Sequence, residues 1–141
     1  MIRLLDTNTC IYFLNRRSEK IIRRFKQLSP SQIRLPSITV AELYYGAEKS
    51  KSKSKNRQRV KQFASTFDII PFDEKACIAY VKVRCKLEKA GTPVGPMDLL
   101  IASIGLAHNF VVVTNNEKEF KRISGLKVEN WLQEKNHTNN T

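Results

Sequence analysis

The chain has 141 residues and carries 25 Lys or Arg residues against 13 Asp or Glu residues, which gives a formal net charge of +12. A chain of this length is expected to form one domain, and its positive charge raises the local concentration of polyanions, so nucleic acid is the first partner to consider. Its apolar runs are shorter than the roughly 20 residues that span a bilayer, and its amino terminus lacks a signal-peptide pattern, so we expect neither membrane attachment nor secretion.

The amino-terminal part of the chain predicts a strand and two helices. Arg3–Leu5 is a short apolar run that ends at Asp6, where polar residues suit the turn into a helix through Leu14. A second helix begins at Ser18 as its N-cap and stops before Pro30. Its apolar stripe has helical period and consists of Ile21, Ile22, Phe25 and Leu28.

A second strand and a strongly basic segment follow. Gln32–Leu35 reads as a strand, and Thr39 is expected to begin a helix. The basic segment, residues 49–61, has no acid between its cations and leads into a helix around Val60–Phe67. It is either a solvated, partly disordered surface segment or a set of phosphate contacts that read no sequence. The candidate RNA contacts in it are Lys51, Lys53, Lys55, Arg57 and Arg59.

The second half of the chain continues the alternation. Its main predicted elements are a strand at Asp68–Pro71, a long helix from Asp73 to Lys89 closed by Gly91, an apolar helix at Leu99–Ala107 and a strand at Phe110–Val113. A short helix with Phe120 and an edge element near Val128 complete a domain over residues 1–133, and residues 134–141 form a polar tail. Strands that alternate with helices indicate an α/β fold with a central parallel sheet of four to five short strands flanked by helices.

Four acids are placed where such a sheet binds ligands, which is beyond the carboxyl ends of its strands. Asp6 ends the first strand, and Glu42 and Glu119 lie one turn into helices that follow strands. Asp98 lies in the first turn of the apolar helix, whose amino terminus can point into the same crevice. The sequence therefore predicts that the four carboxylates converge.

Each acid also has an ordinary structural explanation. Asp6 suits a helix N-cap, Asp98 suits the positive end of its helix dipole, and Thr39 with Glu42 matches a capping box. Glu119 could form a surface pair with Arg122. The sequence alone leaves both readings open.

Convergence of the carboxylates would require a cation or protons. Two carboxylates about 4 Å apart repel by about 4 kcal/mol at an effective dielectric constant of 20. An oxygen-only site with open water positions suits Mg²⁺ or Mn²⁺, which neutralises phosphate charge and activates water. An acidic pit on a basic protein therefore predicts cleavage of a nucleic-acid backbone.

Four segments resemble, in order, the motifs of PIN-domain proteins, and their spacing is similar to that of VapC-type toxins over nearly the whole chain. They are Leu4–Asn8, Ser37–Gly46, Gly95–Ala102 and Val113–Phe120, with Gly125–Trp131 at the end. The resemblance implies a PIN-like domain that hydrolyses RNA with Mg²⁺, for which Mn²⁺ can substitute. It also implies a homodimer, and a cognate antitoxin whose carboxyl-terminal segment enters the active-site groove.

The resemblance assigns roles to individual residues. Asp6 and Asp98 would be the principal metal ligands, with Glu42 and Glu119 completing the site directly or through water. Glu117 is the alternative to Glu119. Groups that orient the carboxylates and water would be Asn8, Thr114 and Asn116. Relatives with the same patterns are associated with cleavage of initiator tRNA in the anticodon region, which makes that tRNA the expected substrate.

Exposed or helical aromatic residues have two interpretations. Phe13, Tyr44 and Tyr45 could stack on bases, or they could belong to the core or to a dimer interface. The helix with Tyr12 and Leu14 is expected, by analogy, to face the antitoxin.

Other functional classes are less well supported. A catalytically silent RNA-binding module of PIN fold is the alternative; it predicts loss of a pit acid, whereas all four positions are acidic. Asp6–Thr9 also resembles the aspartyl-phosphate loop of haloacid dehalogenase-like phosphatases, but Asn8 replaces the general acid. Three cysteines without a CxxC pair predict reduced thiols in the cytoplasm, and Cys77 and Cys85 are expected in the core.

Overall fold

The computed structural model describes residues 1–133 and contains a parallel five-stranded sheet in the order β3-β2-β1-β4-β5. The strands are β1 Arg3–Leu5, β2 Ile33–Pro36, β3 Asp68–Ile70, β4 Val111–Val113 and β5 Lys127–Glu129. The helices are α1 Thr7–Leu14, α2 Glu19–Gln27, α3 Ser37–Glu48, α4 Lys53–Ser65, α5 Glu74–Ala90, α6 Pro96–His108 and α7 Glu117–Phe120. The predicted α/β class and parallel sheet are confirmed. The predicted tail, 134–141, lies outside the described residues.

The central strand β1 fixes the register of the sheet. Arg3 is opposite Ile33 on one side and Val111 on the other. The carboxyl ends of β1 and β4 are level, because Leu5 pairs with Val113. Residues that follow these two strands therefore emerge side by side at one edge of the sheet.

The side chains of the strands alternate between two cores, as the pleat of a strand requires. Leu5 and Val113 pack against α1–α4, in a cluster that also holds Phe25, Phe63 and Trp131. The second cluster packs α5 and α6 on the opposite face and includes Leu4, Val112, Leu99, Ile101, Ile104 and Phe120. The sheet is thus covered on both faces, as a parallel sheet is expected to be.

Helix α6 lies very close to the sheet. A Cβ atom at Gly105 would lie 2.6 Å from Val112 Cγ2, a separation that real Cβ atoms do not show. Glycine at this position lets the most apolar helix of the chain approach β4. Among the described residues, no helix is long and apolar enough to cross a membrane.

The predicted helix boundaries hold at several ends. Ser18 accepts the Ile21 N–H at 3.2 Å as the N-cap of α2, and Asp73 accepts the Ala76 N–H at 2.9 Å as the N-cap of α5. Gly91 closes α5 with φ of 69°, in the left-handed region that glycine adopts without strain.

The prediction that α3 begins at Thr39 with a capping box is wrong. The helix begins at Ser37 with Pro36 as its N-cap. The Thr39 hydroxyl instead donates to the Leu5 carbonyl oxygen at 3.1 Å and is fully buried. Thr39 thus fastens α3 to the central strand, and Glu42 does not form a capping box with it.

The interpretation of the basic segment as partly disordered is also wrong. Helix α4 begins at Lys53 rather than near Val60, so most of the segment is helical. Its Val60 and Phe63 are buried in the first core, and Arg57 donates to Glu48 at 2.9 Å. Burial of one apolar edge fixes a helix whose remaining surface is strongly basic.

Cys77 and Cys85 are exposed, so their predicted placement in the core is wrong. Helix α5 buries only Ala76 and Leu87. Ile78 and Val81, on the outer side of the helix, are 52% and 58% exposed. The periodicity of α5 described an amphipathic helix correctly, but one of its apolar edges faces outward.

The carboxylate of Glu129, at the end of β5, connects β1, α2 and the segment that follows β5. Its carboxylate accepts from Trp131 Nε1 at 3.1 Å, Arg3 Nη2 at 3.3 Å and Arg24 Nη2 at 3.2 Å. Burial opposes ionisation of Glu129, but the hydrogen bonds from Trp131 and Arg3 and the charges of Arg3 and Arg24 lower its pKa below the usual 4.5.

We expect Glu129→Gln to lower the free energy of unfolding by about 2 kcal/mol at neutral pH, since charged hydrogen bonds to a partly buried group are lost. Because the folded-state pKa is lowered, this stabilisation is present above pH 4.5 and is lost as the pH falls through the folded-state value. Urea unfolding at a series of pH values measures it. Glu88→Gln, which breaks an exposed pair with Arg84, is the control; an equal loss there would contradict the assignment.

Candidate active site

Asp6 is buried at the carboxyl end of β1, with 3% exposure. Its N–H donates to the Val113 carbonyl oxygen at 3.0 Å, and its Oδ1 accepts the Thr9 N–H at 2.9 Å, so it is also the N-cap of α1. The pKa of Asp6 is raised above its usual 3.8, mainly because the carboxylate is buried. The charge of Glu42 adds to this rise, whereas hydrogen bonds from Thr114 and Thr9 oppose it. The structural and the chemical roles predicted for Asp6 are therefore compatible.

Glu42 lies on α3 and is held by a residue next to Asp6. The Thr7 hydroxyl donates to Glu42 Oε1 at 2.6 Å. Because Thr39 on the preceding turn is bonded to Leu5, α3 delivers Glu42 to the same crevice that Asp6 borders. The sequence did not single out Thr7, whose position beside Asp6 was the only sign of its role.

Asp98 lies in the first turn of α6 and is electrostatically coupled to the other three acids. Burial, the charges of Glu119 and Asp6, and, more weakly, that of Glu42 raise the pKa of Asp98 to about 6, against a hydrogen bond from Asn116 that lowers it. The four predicted carboxylates therefore share one crevice and repel one another.

Glu119 reaches the crevice from α7. Asn116 Nδ2 donates to Glu119 Oε2 at 2.8 Å and to Asp98 Oδ2 at 3.4 Å. The Asn116 N–H in turn donates to Thr114 Oγ1 at 2.9 Å. The Gly95 N–H donates to Glu119 Oε1, so the loop before α6 contacts the same carboxylate. Asn116 thus contacts two of the four acids, and Thr114 binds the backbone of Asn116 and the side chain of Asp6.

Glu117, the alternative fourth acid, has other partners. Its Oε1 accepts from Asn130 Nδ2 at 3.0 Å, and its Oε2 pairs with Lys121 at 3.0 Å. These contacts lower the pKa of Glu117, the Lys121 hydrogen bond most strongly, against an opposing contribution of burial. The Glu117 carboxylate therefore contacts the residue that follows β5, whereas the Glu119 carboxylate contacts Asn116 and Gly95.

Asn8 does not have the environment that the sequence suggested, and Asn115 was not among the predicted site residues. Asn8 is exposed and, within residues 1–133, forms no hydrogen bond with the four acids. Asn115, between Thr114 and Asn116, has a buried side-chain amide whose oxygen and nitrogen have no partner among the described residues. The predicted role of Asn8 therefore has no geometric support. On either side of Asn115, Thr114 contacts Asp6, and Asn116 contacts Asp98 and Glu119.

The crevice offers carboxylate oxygens, which are the ligands that a divalent cation such as Mg²⁺ prefers. Within residues 1–133, no three acid, His or Cys side chains are close enough together to hold an ion by themselves. In the same part of the chain, no Lys or Arg forms an ion pair with Asp6, Glu42, Asp98 or Glu119. Mg²⁺ commonly uses one or two carboxylates, several waters and substrate phosphates. Asp6 and Asp98 fit that requirement.

Comparisons with known proteins place the chain in a family. The PIN-domain family model matches residues 3–126. The tRNA(fMet)-specific endonuclease VapC of Salmonella typhimurium is 43% identical over 128 residues, which cover 91% of this chain and 96% of the relative. Ribonuclease VapC2 of Rickettsia felis is 43% identical over 132 residues, which cover 93% of this chain and 98% of the relative.

Solved structures show the same likeness. DNA-bound VapBC from Salmonella typhimurium superposes with a TM-score of 0.87 at 41% identity, covering 93% of this chain and 98% of that chain. VapBC2 from Rickettsia felis, bound to a DNA fragment from the promoter, gives 0.86 at 42% identity, covering 93% and 99%. The fold is that of the PIN-domain class. Within that class, the chain belongs to the VapC family.

The raised pKa of Asp98 predicts a stability effect in metal-free protein. Because the folded-state value of about 6 exceeds the ordinary 3.8, ionisation of Asp98 penalises the folded state as the pH rises between them. We expect Asp98→Asn to raise the Tm in EDTA above about pH 6 and to leave it unchanged below pH 3.8. The control Asp68→Asn, at an exposed pair with Arg34, should not raise it; a lower Tm for Asp98→Asn at high pH would refute the repulsion.

Proposed function

We propose that this chain is a toxin endoribonuclease that hydrolyses RNA phosphodiester bonds and is neutralised by a cognate antitoxin protein. The observation that carries the proposal is the coupling of four carboxylates, Asp6, Glu42, Asp98 and Glu119, in one crevice of a protein with a net charge of +12. The names of its relatives, ribonuclease and endonuclease, support it.

The proposed cofactor is Mg²⁺, for which Mn²⁺ can substitute. Asp6 and Asp98 would hold it, with Glu42 and Glu119 completing the site directly or through water. When bound, the ion neutralises phosphate charge and supplies a water molecule of lowered pKa. The coupled acids and their lack of ion pairs within residues 1–133 support this choice.

The neighbouring polar groups keep these carboxylates in place. Thr7 holds Glu42, and Asn116 bridges Asp98 and Glu119. These donors are neutral, so they orient the acids without cancelling the negative charge that attracts a cation. The Gly95 N–H fixes the second oxygen of Glu119 in the same way.

The proposed substrate is initiator tRNA, cut in the anticodon region. Relatives from Salmonella typhimurium and Shigella flexneri, 43% and 36% identical, are named tRNA(fMet)-specific endonucleases. Sequence-specific RNA recognition favours unpaired loop nucleotides, whose bases are accessible. A cytoplasmic location accords with this substrate and with the free thiols of Cys10, Cys77 and Cys85.

The proposed antitoxin site is a groove of about 250 Å³ beside Glu42. Its apolar wall comes from α1, α3 and α4 and includes Ile11, Leu14, Leu43, Ala47 and Val60. Glu42 and Arg59 supply opposite charges to the same groove. An amphipathic segment with a basic residue near Glu42 would fit it. The resolved VapBC relatives support such a partner.

A homodimer is also proposed. The exposed Ile78 and Val81 on α5 form an apolar edge that a second copy would cover. This edge is on the opposite layer from the groove beside Glu42, so a second copy and an antitoxin segment would not compete for the same surface.

A catalytically silent RNA-binding module is the second candidate. The observation in its favour is that, within residues 1–133, no three acidic side chains come close enough to hold an ion alone. The presence of all four acids, with neutral polar partners beside them, favours the nuclease.

The nuclease is tested with purified, antitoxin-free protein and total RNA in Mg²⁺ or EDTA. We expect discrete cleavage only with metal, a loss of at least about 100-fold in rate in Asp98→Asn, and initiator tRNA among the cut species. Glu119→Gln should lower the rate strongly, whereas the matched Glu117→Gln should retain it, because Glu117 binds Asn130 and Lys121 instead. RNA binding without cleavage by the folded wild type would establish the silent module.

The basic segment contributes phosphate contacts in this proposal. Arg57 and Arg59 bind Glu48 and the Leu14 carbonyl, whereas Lys51 and Lys55 are exposed and, within residues 1–133, unpaired. Lys53 lies 3.9 Å from Glu48.

Lys51→Gln with Lys55→Gln should therefore reduce the salt slope of RNA binding by about 1.4, at about 0.7 for each phosphate contact with a single strand. The matched pair Lys82→Gln and Lys86→Gln on α5 should not change it. Equal salt slopes for the two double variants would mean that the basic segment is a solvated surface that does not contact phosphates.

A further inference from the structure

Helix α3 carries an exposed aromatic residue just beyond the acidic crevice. Tyr45 is 63% exposed, compared with 37% for its neighbour Tyr44. Lys49 Nζ lies 5.2 Å from the centroid of its ring, in a cation–π contact. Tyr45 lies within α3 and Lys49 is the C-cap residue of that helix, so the backbone of both residues has a fixed position relative to the crevice.

The spacing places this pair on the same side of α3 as Glu42. Residues three and seven positions apart lie on one face of a helix. With a rise of 1.5 Å per residue, Tyr45 is about 4.5 Å and Lys49 about 10.5 Å along the axis from Glu42. An acid, an aromatic ring and an ammonium group therefore follow one another outward from the crevice.

We propose that Tyr45 and Lys49 form a nucleotide platform on which an unpaired base next to the cleaved bond stacks while Lys49 contacts its phosphate. This inference rests on the proposed ribonuclease function and names residues that position its substrate. Aromatic side chains beside a basic track are the usual means of binding single-stranded RNA, because every base has a face that can stack.

The charge and the geometry favour RNA over a protein partner on this surface. The groove assigned to the antitoxin lies on the other flank of Glu42, where Leu43 and Ala47 face α4. A two-fold interface centred on Tyr45 would bring Lys49, four residues away, close to the Lys49 of the second copy. Like charges of this kind oppose a dimer and attract a polyanion.

The test uses full-length, antitoxin-free protein with Asp98→Asn, so that RNA is bound without being cut. The probe is a short single-stranded RNA with a fluorescent purine analogue, moved position by position, whose emission falls when it stacks. Tyr45→Leu and Tyr45→Phe are compared. Tyr44→Leu is the matched control, because Tyr44 is exposed on the same helix but points about 160° away from Glu42 at 100° per residue.

We expect quenching at one position that is lost with Tyr45→Leu, together with about tenfold weaker binding, and that is retained with Tyr45→Phe and Tyr44→Leu. Lys49→Gln should lower the salt slope by about 0.7, and Lys26→Gln on α2 should not. Unchanged quenching with Tyr45→Leu overturns the platform. So does a change in sedimentation with Tyr45→Leu, which would assign Tyr45 to a protein interface. Failure of the Asp98→Asn parent to bind any RNA would instead refute the proposed function together with the platform.

Discussion

Repulsion among the carboxylates at the carboxyl edge of the sheet is the constraint on which the rest of this structure depends. Asp6 is almost fully buried at the end of the central strand, and Asp98 has a pKa of about 6 because burial and its acidic neighbours oppose its ionisation. The folded chain tolerates this unfavourable electrostatic energy because the sheet register and two helices fix the positions of these residues. Asp6 is bonded through its backbone to β4, and α3 is bonded through Thr39 to β1.

The distribution of polar partners follows from that constraint. Inside the crevice the donors are hydroxyls, an amide and a backbone N–H, contributed by Thr7, Thr114, Asn116 and Gly95. The cations lie elsewhere, on α4 and around Glu129, although the chain has a large positive excess. A Lys among these carboxylates would relieve the repulsion permanently and oppose the binding of the proposed divalent ion. Neutral donors orient the carboxylates without cancelling their negative charge.

The sequence predicted the parts of this arrangement that depend on local pattern. Asp6 and Thr114 directly follow apolar runs, so their place at the edge of the sheet follows from the period of the strands. Thr39 was misread because its hydroxyl binds a carbonyl on a distant strand, which spacing within a helix does not reveal. The choice between Glu117 and Glu119 was open because both lie in one helical turn, and only the positions of Asn130 and Gly95 separate them. Cys77 and Cys85 were misplaced because amphipathic period does not say which edge of a helix is covered.

Gly105 shows that chemically silent positions share control of the crevice. It lies two turns along α6 from Asp98, and the close contact of its backbone with Val112 sets the distance between that helix and the sheet. Any side chain there would push the helix outward and carry the carboxylate at its amino terminus with it. In genetic terms, a selection for harmless alleles of a toxic protein would return glycine and core positions as well as acids. Such alleles would keep all four carboxylates and change only the distances between them.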